Sequence, residues 1–210
     1  MTREQFGGSL ALHIAAFVLA TQEVAHGSSR RFVAPILVSA VIVFIASSVM
    51  HTVLPYHRGD YRQLPDEDKI LAVLRAAGLT RGLYILPFGT HKDMKTPAMQ
   101  EKYKQGPVGM VTVFPVGPPA MPKFLAQWFG YCLVIAFFVA YLTGHTVGSG
   151  AQYLVVFRVA GTAAFLAYGL GQLSNAIWKG QTWGMTTKEV ADGLVYGLLT
   201  AGAFGWLWPR

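Results

Sequence analysis

Residues 32–54 read FVAPILVSAVIVFIASSVMHTVL and contain no acidic residue, lysine or arginine. A helix needs about 20 consecutive apolar residues to cross the hydrocarbon core of a bilayer. This run is therefore predicted to be a first membrane span. Comparable runs predict three further spans, over residues 124–143, 151–171 and 190–208, the last of which must include Asp192 to be long enough.

The composition of the whole chain agrees with this interpretation. Hydrophobic residues make up 53% of the chain and charged residues 13%, whereas about 25% of a typical soluble domain is charged. The apolar content excludes a disordered chain, and a single cysteine, Cys132, excludes a disulfide scaffold. We expect an all-α membrane protein, a four-helix transmembrane bundle with a small α+β extramembrane domain inserted between the first two spans.

The first 31 residues precede the first span and leave three interpretations open. Residues 6–20 form an apolar run of 15 residues behind Arg3, as in a signal peptide. However, Glu4 offsets the charge of Arg3, which is atypical of such a signal. An uncleaved surface helix and an N-terminal extension fit the sequence equally well.

The segment between the first two spans, residues 55–123, contains nine of the 11 prolines and yet keeps an apolar periodicity. This pattern predicts an ordered domain rather than a flexible linker. Acidic residues and proline mark the starts of its helices, and glycine marks their ends. The predicted elements are a helix from Pro65 to Gly78, a strand over 82–88, a helix from Thr96 to Gly106 and a strand over 108–114.

Lysine and arginine are distributed unevenly over the loops. Ten of the 17 lie in residues 55–123, none in 144–150 and two in 172–189. Because these residues accumulate on the cytoplasmic side of membrane proteins, the 55–123 domain is expected in the cytoplasm. Its basic stretch fits attraction to anionic headgroups and lacks the aromatic interleaving of a nucleic-acid surface. The expected partners are therefore the lipid bilayer, other membrane subunits or a second copy, and no nucleic acid.

Small residues recur at every fourth position in two of the predicted spans. This spacing lets helix backbones approach closely within a membrane. An intramolecular bundle and a dimerisation face both fit the pattern, and we favour the bundle because one chain supplies two such stripes. The positions are Ala163, Ala167, Gly171, Gly193, Gly197, Ala201 and Gly205.

One ionisable residue, Arg158, interrupts the third predicted span. An ionisable group at membrane depth is by default a candidate for function, such as a solute pathway. The competing interpretation is that Arg158, about 10 Å from the outer end of the span, extends its long side chain to the headgroups. We favour the second interpretation, because few other polar residues lie in the spans.

Two histidines and a carboxylate, His51, His57 and Asp60, lie where the first span meets the loop. Such side chains can bind zinc, copper or iron. Pro55 is expected to end the helix between the histidines, and nothing in residues 58–59 is expected to turn His57 back towards His51. The sequence therefore predicts no metal at this place.

Three stretches resemble a group of bacterial multi-pass inner-membrane proteins that have no assigned activity. They are HTVLPYHRGDYRQLPDED at 51–68, GPVG at 106–109 and GWLWPR at 205–210. The resemblance covers about residues 32–210 and leaves residues 1–31 outside, which favours an N-terminal extension. It implies a location in the bacterial inner membrane, and no functional residue is carried over from it.

These features together predict a non-enzymatic membrane protein, an accessory, assembly or scaffold subunit of a membrane complex. Two alternatives stay open: a small transporter or channel that uses Arg158, and a membrane-bound metalloenzyme that uses His51, His57 and Asp60. A haem held by two histidines is excluded, because His51 and His145 are expected about 30 Å apart at opposite membrane faces. No cofactor is expected.

Overall fold

The computed structural model describes residues 29–209, which form a mostly helical chain with one small sheet. The N-terminal segment predicted over residues 1–31 lies outside the described residues except for its last three. The helices are α1 Ser29–Thr52, α2 Glu67–Ala76, α3 Pro97–Gln105, α4 Met121–Thr146, α5 Tyr153–Tyr168, α6 Leu173–Lys179 and α7 Trp183–Trp206. The strands are β1 Gly82–Leu86 and β2 Gly109–Val113.

Three helical stretches among the described residues are long and apolar enough to cross a membrane. They are Arg31–Thr52, Met121–Thr146 and Tyr153–Lys179, and they correspond to the first three predicted spans. The fourth predicted span lies on α7, which has 24 residues and carries Lys188, Glu189 and Asp192 in its first half. Three membrane-length apolar helices are thus confirmed, whereas a four-helix transmembrane bundle stays a prediction.

The ends of two spans differ from the predicted ones for local reasons. The first helix ends at Thr52, two residues early, because Pro55 follows and the residue before a proline avoids the helical region. Leu54 is accordingly extended, with φ −77° and ψ 134°. The third stretch continues past the predicted end at residue 171, because a 3₁₀ turn at Leu170–Gln172 joins α5 to α6.

The elements between the first two spans follow the predicted order of helix, strand, helix, strand. The Thr96 hydroxyl caps α3 by accepting a hydrogen bond from the Met99 amide at 3.3 Å. Gly78 follows α2 with a φ of +65°, the left-handed conformation that glycine adopts most readily. Strands β1 and β2 pair antiparallel, with Gly82 opposite Val113 and Leu86 opposite Gly109.

The chain divides into two compact units. Among the described residues, the first comprises 29–46, 127–165 and 195–209, and the second comprises 47–126 and 166–194. Four helices each contribute an almost completely buried side chain to the core of the first unit. These side chains are Val43, Val139, Val156 and Phe204. The second unit contains the paired strands and the candidate site described below.

Glycines of α7 pack closely against α5. In the first unit, a Cβ added at Gly197 would lie 3.1 Å from the Cβ of Phe165, and one added at Gly205 would lie 2.7 Å from the Tyr153 ring. In the second unit, a Cβ added at Gly193 would lie only 2.3 Å from the Cα of Gly169. The approach at Gly193 requires glycine because the atoms it meets are backbone, whereas at Gly197 and Gly205 a larger residue would have to shift a neighbouring side chain.

The contacting face of α5 is offset from the predicted small-residue stripe. Gly161 meets the side chain of Ala201 in the first unit, with 2.9 Å between an added Cβ and the Cβ of Ala201. In contrast, Ala167 and Gly171 are exposed, Ala163 is half-buried, and a Cβ at Gly171 would meet nothing within 4 Å. The predicted small-residue stripe on α7 therefore packs against α5, whereas α5 meets α7 through positions next to its own predicted stripe.

Candidate metal centre

The turn after α1 brings two histidine rings together. Pro55–His57 form a single 3₁₀ turn, and Arg58 closes it by donating its amide to the Pro55 carbonyl oxygen at 3.0 Å. The His51 and His57 rings are stacked, with centroids 4.5 Å apart and planes inclined by 13°. The expectation that the loop leads His57 away from His51 is wrong, because the proline that ends the helix also starts the tight turn.

A buried carboxylate from α7 meets both imidazoles. Asp192 is only 3% exposed, and its Oδ2 lies 2.8 Å from His57 Nε2 and 3.8 Å from His51 Nε2. The three ligand atoms all lie within 4.8 Å of one another. Two ligands of a tetrahedral zinc ion, each bound at 2.0–2.1 Å, are about 3.3 Å apart, so small side-chain adjustments would bring all three onto one ion.

The other ring nitrogen of each histidine is held by an acceptor. His51 Nδ1 donates to the Ser47 carbonyl oxygen at 3.0 Å, and His57 Nδ1 donates to Asp60 Oδ2 at 2.6 Å. Metal-binding histidines characteristically donate this second N–H to a carbonyl or a carboxylate, which fixes the ring and its tautomer. Both histidines therefore present Nε2 towards Asp192. Asp60 binds the opposite nitrogen of His57, so it orients the ring and is not one of the three converging groups.

Two further side chains complete the network. Lys188, one turn before Asp192 on α7, donates to Asp60 Oδ1 and to the Tyr56 carbonyl oxygen, each at 2.6 Å. The Tyr56 hydroxyl donates to Asp192 Oδ1. The loop and α7 are thus joined by four polar contacts, in which two carboxylates face a lysine and an imidazole.

The electrostatics follow from these contacts. The hydrogen bond from Lys188, followed by that from His57, holds the pKa of the Asp60 carboxyl below its ordinary value. Burial lowers the pKa of His57, but its hydrogen bonds to Asp60 and Asp192 outweigh burial and raise the pKa overall. Burial and then the hydrogen bond to Asp192 raise the pKa of Tyr56. Without a metal, the site therefore favours an imidazolium between two carboxylates.

The stability of the metal-free protein is expected to be highest in mildly acidic solution. The raised pKa of His57 contributes stability that is complete below 6.5 and is lost as the pH rises through the folded-state pKa. The lowered pKa of Asp60 contributes stability that is complete above 3.8 and is lost as the pH falls through its folded-state pKa. With a chelator present, the melting temperature in detergent should therefore fall as the pH is raised above 6.5 and through the folded-state pKa of His57. His57→Gln should flatten this dependence, and an equal fall in that variant would contradict the assignment.

The remaining sequence candidate, Arg158, is placed elsewhere. It is an exposed residue of α5, five positions after Tyr153, where the helix begins. At 1.5 Å per residue it lies about 8 Å along the helix, within reach of the headgroups for a long side chain. No ion pair within residues 29–209 includes it.

Three members of this site were not predicted from the sequence: Tyr56, Lys188 and Asp192. A usable signal was present in α7, where Lys188 and Asp192 are four residues apart in a mostly apolar helix. That spacing puts a cation and an anion on the same helix face, where both can meet one partner. No family model, curated protein or solved structure significantly matches the chain.

Proposed function

We propose that this chain is a multi-pass membrane protein that binds one divalent transition-metal ion through His51, His57 and Asp192. The observation that carries the proposal is the convergence of the two Nε2 atoms and one carboxylate oxygen within 4.8 Å, with both Nδ1 atoms already engaged. Two imidazoles and a carboxylate are a ligand set that suits zinc. The metalloenzyme alternative thereby gains support, with Asp192 in the place of Asp60 as a ligand.

The ligand set is that of a reactive site rather than a purely structural one. Structural zinc sites usually have four protein ligands, whereas catalytic sites have three and leave the fourth position to water or substrate. The His51 side chain is 52% exposed, whereas Asp192 is buried, so solvent would reach an ion held by these residues from the His51 side. A metal ion there would lower the pKa of its bound water and supply a hydroxide for hydrolysis near neutral pH.

The site is proposed to lie at the cytoplasmic face of a bacterial inner membrane. The excess of lysine and arginine in residues 55–123 supports this orientation, and the resemblance of residues 32–210 supports the bacterial membrane. The contact of His51, at the end of α1, with Asp192, in the first half of α7, suits a four-span topology. In that topology both positions are near the same membrane face.

The orientation is tested with cysteine substitutions in intact cells, after Cys132 has been replaced. A cysteine at Lys92 should resist a membrane-impermeant thiol reagent, because the proposed cytoplasmic loop is shielded by the membrane. A cysteine at Gly148, in the loop between α4 and α5, should react. Labelling at position 92 from outside, without labelling at 148, would reverse the proposed orientation.

A non-enzymatic accessory, assembly or scaffold role is the second candidate function. The charge balance of Asp60 and Asp192 against His57 and Lys188 supports it. Such a network joins the loop to α7 without any metal. The transporter or channel alternative depends on Arg158, and the exposed position of that residue near the start of α5 does not strengthen it.

Elemental analysis after equilibrium dialysis against zinc distinguishes the first two candidates. The metal proposal predicts about one zinc per chain, and binding more than about 100-fold weaker in His51→Ala, His57→Ala and Asp192→Asn. Asp60→Asn should weaken binding by about 10–100-fold, as expected for a residue that supports a ligand. His91→Ala, which removes an exposed histidine of the loop, is the control and should bind as the wild type does. Equal binding by wild type and His57→Ala would overturn the metal proposal.

A further inference from the structure

The loop domain lacks a buried core of its own. Between residues 55 and 120, Met99 is the one buried residue. No residue of α2 is buried. A small domain with so little buried apolar area is marginally stable unless another surface covers it.

One face of the sheet is exposed and apolar. Residues paired across an antiparallel sheet share a face, so Leu83 lies beside Thr112 and Ile85 beside Met110. Leu83 is 59% exposed and Ile85 is 50% exposed, whereas Tyr84 and Val111 on the opposite face are half-buried. The alternation continues beyond β2 to Phe114, which is 73% exposed. We call the face carrying Leu83, Ile85 and Phe114 the sheet face.

The sheet face is tethered close to a membrane. Val113, the last residue of β2, is eight positions from Met121, the first residue of α4. A fully extended chain of that length spans at most about 29 Å. The tether itself carries exposed apolar residues, with Val116 fully exposed and Met121, Phe124 and Leu125 exposed in the first turns of α4. An apolar path therefore connects the sheet to the membrane-length helix.

The charge around the strands favours an anionic surface. Arg81 immediately precedes β1, and the connection between the strands carries exposed lysines at 92, 95, 102 and 104. Over residues 55–123 there are ten lysines and arginines against six acidic residues. Of these acids, Asp60 is paired with Lys188 and Asp66 with Lys69. Each basic residue near an anionic membrane contributes about 1 kcal/mol of attraction.

We propose that the sheet face lies on the bilayer that contains the chain's own helices, with Leu83, Ile85 and Phe114 among the headgroups and the flanking basic residues on anionic phosphates. The combination of exposed apolar side chains with surrounding lysines and arginines is that of interfacial membrane segments. A bilayer also fits the tether, because it is always present within the reach of residues 113–121. This inference is independent of the metal proposal.

Depth-dependent fluorescence quenching of the full chain tests the proposal. Single cysteines at Ile85 and Phe114, in a Cys132→Ser background, carry an environment-sensitive probe in vesicles of equal parts phosphatidylcholine and phosphatidylglycerol. Nitroxide-labelled lipids should quench these probes severalfold more strongly than probes at Tyr61 and Val73, which are exposed residues of the same loop outside the strands. Quenching should weaken at about 1 M salt, where the Debye length is about 3 Å, and when Lys92, Lys95, Lys102 and Lys104 are all changed to Gln.

Two results would overturn the proposal. The first is quenching at Ile85 and Phe114 no stronger than at Tyr61 and Val73, which would leave the sheet face away from lipid. The second is a probe signal that depends on protein concentration in the vesicle and not on lipid charge, which would assign the face to a second copy of the chain. Far-ultraviolet circular dichroism of the four labelled variants serves as the folding control, because all four side chains are exposed and each variant should keep the helix content of the wild type.

Discussion

Gly193→Ala is expected to destabilise the fold strongly, although it adds a single methyl group. A Cβ at position 193 would lie 2.3 Å from the Cα and 2.5 Å from the amide nitrogen of Gly169, and 2.8 Å from the carbonyl carbon of Tyr168. All three are backbone atoms of the stretch that links α5 to the following turn, so no side chain can move aside. Overpacking a well-packed interior costs about 1–3 kcal/mol and occasionally more, and a Cβ pressed against backbone atoms that cannot move aside should reach or exceed the upper end.

The matched control for this variant is Gly184→Ala in the same helix. A Cβ at Gly184 would meet nothing within 4 Å, so the yield and melting temperature of the folded protein in detergent should match the wild type. Gly197→Leu, which places a larger side chain against Phe165, should also lower both quantities. Wild-type behaviour of Gly193→Ala would contradict the close approach of α7 to Gly169.

Asp192→Ala should also give a large loss, about 3–5 kcal/mol of the free energy of unfolding. The substitution removes the acceptor of both His57 Nε2 and the Tyr56 hydroxyl. The His57 imidazole, which favours its charged form, then keeps only the Asp60 carboxylate as a partner. Removing one partner of a buried ion pair costs about 3–5 kcal/mol. Unfolding titrations in mixed detergent, with a chelator present, measure the effect without a contribution from metal.

The corresponding change at an exposed acid serves as the control. Glu101→Ala on α3 removes only an exposed contact with Gln105, and surface substitutions of this kind change stability by at most about 0.5 kcal/mol. An equally small effect of Asp192→Ala would mean that the network contributes no stability. The junction of the loop with α7 would then need another explanation.

Much of the fold could be predicted from local chemistry. The apolar run at 32–54 sets the first membrane-length helix, and the Thr96-Pro97 pair sets the start of α3, because proline suits the first turn and threonine caps it. Gly78 and Gly106 similarly mark the ends of α2 and α3. These features depend on residues within one or two turns of each other, which a sequence displays directly.

The site could not be predicted in the same way, because it depends on contacts between distant residues. His57 and Asp192 are 135 positions apart, and no local periodicity relates them. The stacking of His51 on His57 depends on the direction of one 3₁₀ turn, which a proline permits without dictating. The face of α5 that packs on α7 differs from the predicted one for a related reason. A small-residue stripe indicates that close packing is allowed, but it does not indicate which positions meet the neighbouring helix.

X-ray absorption spectroscopy at the zinc edge tests the central claim most directly, because it reports the atoms bound to the metal. The zinc-loaded protein is expected to show two imidazole nitrogens and oxygen ligands at about 2.0–2.1 Å, with no sulfur ligand. His57→Ala loaded with the same amount of zinc should lose one of the two imidazoles, while His91→Ala should give the wild-type spectrum. A spectrum that fits only oxygen ligands, or that is unchanged in His57→Ala, would contradict a metal centre formed by His51, His57 and Asp192.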